Sequence, residues 1–234
     1  VLSRCDTIAI NMKIIALDIE TQNLDMDAEE LSFEDSSGWK VSCVSIYDHH
    51  RQSLFHYVSD PDSLNLNDSD QSINDFNDLG FDLEEWYYSG YQLITKNGGT
   101  FDLPIISKSL KSGGCGKSVA SNLRLFLDAP TEKELPNGHI KELTPKHFDI
   151  CQYLRDTTGS RHKLQHLIQG TFGLSESKLM NAAEAPENWA AGQHQKVLDY
   201  CGSDAKYTAD LFFYGRREGR IYSTEETRPL KAVW

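Results

Sequence analysis

Two carboxylates flank a single isoleucine in Ile14-Ile15-Ala16-Leu17-Asp18-Ile19-Glu20-Thr21, directly after four apolar residues. Strand side chains alternate between faces, so Asp18 and Glu20 stand on one face about 6–7 Å apart while Ile19 points into the core. That spacing suits two ligands of a hard cation; a strand end that is simply becoming exposed reads the same way. A third carboxylate, Asp102, ends Asn97-Gly98-Gly99-Thr100-Phe101-Asp102. A glycine-rich turn after a strand lets another backbone come close, and Asp102 stands where the next helix begins. An ordinary N-cap or first-turn aspartate is the alternative there. A fourth, Asp204, closes Tyr200-Cys201-Gly202-Ser203-Asp204, where the i, i+4 spacing turns phenol and carboxylate to one side of a helix. It borders an apolar stripe of Val197, Leu198, Cys201, Ala205, Thr208 and Leu211, and a partly buried aspartate needs a partner or a cation.

The elements that must position these residues are legible as periods. Residues 13–19 read as a buried strand, and 41–48 with 52–58 as a hairpin turning at Asp48-His49-His50-Arg51. An acidic linker runs to about residue 80, followed by a helical patch near 82–89 and a strand at 91–96. The turn at 97–100 leads into a helix from Asp102 to Lys111, with Leu103, Ile106 and Leu110 on one side. A loop rich in glycine, proline and charge is expected over 112–145, a short strand near 147–150, and helices over 161–172 and 192–214. Strands first and helices alternating later make the fold class α/β with a mixed sheet.

The three segments together resemble the three exonuclease motifs of the DEDD superfamily of 3′–5′ exonucleases, in its tyrosine-bearing branch. These are D-x-E at Asp18 and Glu20, N-x-x-x-F-D from Asn97 to Asp102, and Y-x-x-x-D from Tyr200 to Asp204. Their surroundings, LDIET, GYQLITKNGGTFDLPII and DYCGSDAKYTADL, are most similar to the proofreading domain of family B DNA polymerases. The resemblance runs from about residue 13 to 214 and implies a ribonuclease H-like fold, a mixed five-stranded sheet flanked by helices. The domain is expected over 13–221, with residues 1–12, which precede the first strand, an extension of uncertain origin and 222–234 a loosely ordered tail. The resemblance also implies an enzyme that removes 5′-mononucleotides stepwise from single-stranded 3′ ends, DNA before RNA, in DNA repair or turnover. Asp18, Glu20, Asp102 and Asp204 would hold two divalent cations, Mg²⁺ or Mn²⁺, with Asp18 between them and Asp102 reaching the second through water. Thr21, Asn97 and Phe101 would contact or support the terminal nucleotides. Four converging carboxylates cannot all stay ionised without cations, and a pair of hard ions can stabilise both the attacking and the leaving oxygen of a phosphodiester displacement. Sister families carry histidine where this chain has Tyr200; a phenol, mostly protonated at neutral pH, would orient the attacking water and not deprotonate it. An exoribonuclease on the same scaffold, or a catalytically silent module that binds nucleic acid or protein, are the alternative functions. No polymerase motifs follow, so either a stand-alone nuclease or the leading part of something larger is expected.

Composition sets the remaining bounds. The formal charge of −12 argues against a polyanionic partner, but its distribution does not. Residues 25–35 carry six acids and 60–85 carry nine, with no Lys or Arg; outside them 20 acids stand against 23 bases. Both stretches read as solvated insertions. No apolar run is long enough to span a bilayer and no signal peptide is recognisable, so a cytoplasmic protein without membrane partners is expected, its five scattered cysteines reduced. Two further patterns are decoys. Lys111 to Ser118 ends like a phosphate-binding loop but lacks its first glycine, and His162 with His166 has zinc-protease spacing with Lys163 where the base would stand. Arg216, Arg217 and Arg220 suit the C-terminus of a helix.

Overall fold

The apolar half of IIALDIET lies in the middle of a mixed sheet in the computed structural model, which describes residues 12–32, 35–66, 72–110, 116–135, 139–174 and 180–234. β1 (Ile14–Thr21) pairs antiparallel with β2 (Val41–Asp48), and β2 pairs antiparallel with β3 (Ser53–Val58). On its other side β1 runs parallel to β5 (Gln92–Thr95), and β5 runs parallel to β8 (His147–Asp149). β4 (Ser72–Asp75) adds a parallel edge strand beside β3, so the order is β4-β3-β2-β1-β5-β8. The sheet therefore has six strands where five are expected. The additional strand comes from the second acidic stretch: its residues have little strand propensity, and pairing along Phe55–Val58 holds it through the backbone. A separate small hairpin joins β6 (Glu132–Glu134) to β7 (Ile140–Glu142).

Alternation along β1 sorts the protein into two layers. Ile15, Leu17 and Ile19 face α1 (Phe76–Tyr88), α2 (Asp102–Ser109) and α3 (Gly116–Leu127), which bring Leu79, Leu83, Trp86, Leu103, Leu123 and Phe126. Ile14 and Ala16 face the other layer, α4 (Ile150–Thr158), α5 (Leu164–Phe172) and α7 (His194–Glu218), through Leu154, Leu167, Ala205 and Ala209. The short α6 (Ala185–Ala190) joins a third cluster around Cys43, Tyr200 and Cys201. A fully buried Ile or Leu contributes roughly 1.5–3 kcal/mol, and Ile14, Ile15 and Leu17 are all buried, so the first half of β1 anchors the second half rigidly.

Several segments differ from expectation, among them α4 and α6, which stand where no element was expected, and the β6–β7 hairpin within the expected loop. Helix α3 occupies part of the expected loop over 112–145; Val119, Leu123 and Phe126 do carry the helical period, hidden among glycine and proline on either side. Helix α1 starts earlier than expected because the Asp75 side chain accepts from the Asn77 N–H at 2.7 Å, capping it. The segment after 222 is docked, not loose. β9 (Arg220–Ile221) pairs with β10 (Leu230–Lys231), Trp234 stacks on Phe212 at 6.0 Å between centroids, and its Nε1 donates to the Phe212 carbonyl at 3.0 Å. Arg216 donates to the Trp234 carbonyl at 3.1 Å at the end of α7. Residues 1–11 and Lys111 to Cys115 of the phosphate-loop decoy lie outside the described residues. No described helix is long and apolar enough to cross a membrane.

Candidate active site

The face of β1 that carries Ile14 and Ala16 into the α7 layer continues into Asp18 and Glu20, which lie opposite Ser45 and Cys43 of β2. Thr21 follows them at the strand's last position, where the register shifts and Thr21 comes opposite Val41. Above this face, α7 presents Tyr200, Cys201 and Asp204 one turn apart on its buried side. Gly202 lets the helix settle against β3, because a Cβ there would stand 2.5 Å from Leu54 Cδ2.

Asp102 arrives from the other side of β1, by way of the turn after β5. Asn97 adopts φ +74°, a left-handed conformation that asparagine tolerates, and its carbonyl accepts from the Thr100 and Phe101 N–H groups at 3.3 and 3.1 Å. Gly98 sits against Thr95, where a Cβ would approach Thr95 Cβ to 2.5 Å. The Leu103 N–H then bonds to the Gly98 carbonyl at 2.9 Å, so α2 grows directly out of the turn with Asp102 as its first residue. Phe101, partly exposed, packs edge-on to Trp39 at 5.3 Å between centroids, and Met26 and Leu31 of the first acidic loop pack against the same core. That loop is stapled by Asn23, which donates to Glu29 at 2.7 Å and to the Gly38 carbonyl at 3.1 Å, and accepts from the Lys40 N–H at 2.7 Å.

The charges identify the residues as neighbours. Glu20, Asp102 and Asp204 are 8%, 6% and 7% exposed. Burial drives the Asp18 carboxyl well above its ordinary range, the negative charges of Asp204, Asp102 and Glu20 drive it further, and a hydrogen bond from Cys201 pulls back. Asp102 is pushed up to about 7 by burial and by Asp149, with Lys96 opposing. Burial also raises the Tyr200 phenol, followed by Asp204, Glu20 and Asp18 and the hydrogen bond the phenol gives to Asp204. The centre strand, the start of α2 and the middle of α7 thus converge. Asn97 and Phe101 flank Asp102, and Thr21 flanks Glu20.

Among the described residues no three His, Cys, Asp or Glu side chains stand close enough to hold one metal ion as they are placed. This agrees with the mutual repulsion felt by Asp18, because Coulomb interactions reach several times further than a metal–oxygen bond of about 2.0–2.6 Å. Glu20, Asp102 and Asp204 lie near enough to Asp18 to act on its charge, but they do not form a closed ligand shell. Their chemistry fits hard divalent cations: oxygen donors only, mutually repelling and largely buried, so that neutralisation by a cation would lower their free energy. The histidine decoy goes elsewhere, with His166 paired to Glu225 at 2.7 Å and His162 buried near Thr158.

Two residues escaped the sequence reading. Lys96 directly follows β5, and its positive charge acts on Asp102. Asp149 ends β8 and accepts backbone N–H bonds from the turn that precedes Asp102. Its signal was present: His147-Phe148-Asp149-Ile150 is a strand end followed by a helix start, the same grammar as the segment around Asp102. Compared with known proteins, the chain matches no protein-family model and no curated protein.

Proposed function

We propose that the chain is a metal-dependent 3′–5′ exonuclease of the tyrosine-bearing DEDD type, with a ribonuclease H-like fold, acting on single-stranded 3′ ends and on DNA before RNA. The observation that carries this reading is the convergence of Glu20, Asp102 and Asp204 on Asp18, with Tyr200 bonded to Asp204. The mixed sheet with helices on both faces supports the fold part of the reading, with β4 an addition at its edge. Asp18, Glu20, Asp102 and Asp204 would hold two Mg²⁺ or Mn²⁺ ions. Bound there, the ions would lower the pKa of a water and stabilise charge on the attacking and leaving oxygens.

The residues of the chain have distinct tasks. Tyr200 stays protonated and spends its O–H on Asp204, which leaves its oxygen lone pairs to accept a hydrogen bond from the attacking water. Lys96 places positive charge beside Asp102, where a phosphate would enter. Phe101, braced by Trp39, offers an aromatic edge to a terminal base, and Asn97 and Thr21 supply polar contacts at either side. In the reaction the water oxygen bonds to phosphorus as the P–O3′ bond breaks. One water proton ends on the departing 3′ oxygen, giving a 5′-mononucleotide and a strand shortened by one residue.

The test is incubation of 5′-labelled single-stranded DNA and RNA oligonucleotides of one sequence with Mg²⁺, Mn²⁺ or chelator. A ladder shortening from the 3′ end, faster on DNA and absent with chelator, is expected. Faster loss of the RNA makes the enzyme an exoribonuclease, internal cuts make it an endonuclease, and no cleavage with either metal removes the catalytic reading.

A further inference from the structure

One carboxylate outside the four is surrounded by backbone donors. Asp149 Oδ1 accepts from the Asn97 N–H at 2.9 Å, the Cys151 N–H at 2.8 Å and the Gln152 N–H at 3.1 Å, while Oδ2 accepts from the Gly99 N–H at 2.8 Å. The last residue of β8 therefore holds two elements at once: it caps α4 from within and it grips the turn that follows β5. A cap needs only one oxygen and the N–H groups of Cys151 and Gln152. The two bonds to Asn97 and Gly99 lie about 50 residues away in sequence and contribute nothing to α4.

Their position explains their use. The gripped residues flank Gly98, whose carbonyl accepts from the Leu103 N–H at 2.9 Å, and Leu103 is the neighbour of Asp102. Behind the turn, Thr95 fills the space a Gly98 side chain would need, and Thr95 Oγ1 lies 2.9 Å from His147 Nε2, again on β8. The first turn of α2 is thus indexed to β8 from two directions. Without the grip, the left-handed Asn97 and two glycines would leave Asp102 on a hinge.

We propose that Asp149 is a positioning residue for Asp102, holding the Asn97–Gly99 turn in place through its two carboxylate oxygens so that Asp102 meets the cations of the site. This rests on the exonuclease reading for what Asp102 does, and extends it to a residue that touches neither cation nor substrate. Residues that orient ligands from behind in this way typically contribute about 10–100-fold to metal affinity or activity.

Asp149→Asn separates the two tasks. Asparagine caps helices about as well as aspartate, so its oxygen can keep α4 and Asn97, while its NH₂ is turned against the Gly99 N–H. The expected result is a thermal midpoint within about 3 °C of wild type and faster hydrogen exchange at the Gly99 amide. Mn²⁺ binding, read by electron paramagnetic resonance without nucleic acid, weakens about 10–100-fold, and kcat falls by a like factor while KM for the oligonucleotide holds. Asp149→Ser keeps the cap, loses both grips and is expected to behave the same way if the asparagine variant folds poorly. Wild-type Mn²⁺ binding and kcat in a folded variant overturn the positioning role and leave the exonuclease reading intact. A wild-type chain that binds Mn²⁺ but cleaves nothing removes the exonuclease reading alone, the positioning role then standing or falling on the variant's Mn²⁺ affinity; a wild-type chain that binds no Mn²⁺ removes both.

Discussion

The Tyr200 phenol donates a hydrogen bond to Asp204, one turn further along α7. This bond decides which kind of chemistry the helix can support. A phenol that is buried and surrounded by carboxylates is held above its ordinary pKa, so it stays protonated at neutral pH. In the proposed reaction Tyr200→Phe therefore removes an orienting contact and not a base. The expected loss in single-turnover cleavage is roughly 10–100-fold, with the shape of the pH–rate profile unchanged on its alkaline side. An alkaline limb that vanishes in the variant contradicts the assignment.

Asp18 is the carboxylate on which the other three act. Replacing it by Asn removes a proposed ligand and a repulsive charge together, so activity and stability should move in opposite directions. Cleavage is expected to fall by roughly 10³-fold or more, while stability in urea rises by about 1 kcal/mol in metal-free buffer. Asp204→Asn should follow the same pattern. A variant that loses activity and stability together has lost its fold, and the charge argument with it.

Asp102 connects pH to folding. Its carboxyl goes from an ordinary 3.8 to about 7 in the folded chain, so the folded state holds the proton more tightly than the unfolded one. The favourable contribution is complete below about 3.8 and is lost as pH rises through about 7. Relative to Asp102→Asn, the wild-type chain without metal should lose stability between about pH 4 and 8, by at most about 4 kcal/mol. Saturating Mn²⁺ should restore much of the loss at the alkaline end. Urea unfolding of both proteins at several pH values measures this; a difference that does not change with pH rules it out.

Gly98 is needed for closeness. A methyl group there would meet Thr95 Cβ at 2.5 Å, and that atom belongs to a strand held on both sides. Gly98→Ala is expected to destabilise the chain by about 1–3 kcal/mol and to reduce cleavage more than binding, since the displaced turn carries Asp102. Comparing kcat, KM and the urea midpoint with wild type checks both parts, and an unchanged kcat argues that the turn tolerates displacement.

Local geometry made much of this site readable from the chain alone. Asp18 and Glu20 share a face because strand side chains alternate, and Tyr200 shares a side with Asp204 because a helix returns after four residues. The buried start of β1 and the long apolar stripe of α7 were visible for the same reason. What tertiary structure decided depends on contacts between distant segments, which no local period announces. The approach of Asp102 to Asp18 requires β1 and β5 to pair in parallel and Gly98 to rest on Thr95. The grip of Asp149 uses backbone N–H groups, which every residue but proline carries, so no side-chain type about 50 residues upstream marks the partner. The edge strand β4 and the docked Trp234 belong to the same class: short segments with weak preferences of their own, ordered by surfaces that exist only once the sheet and α7 have formed.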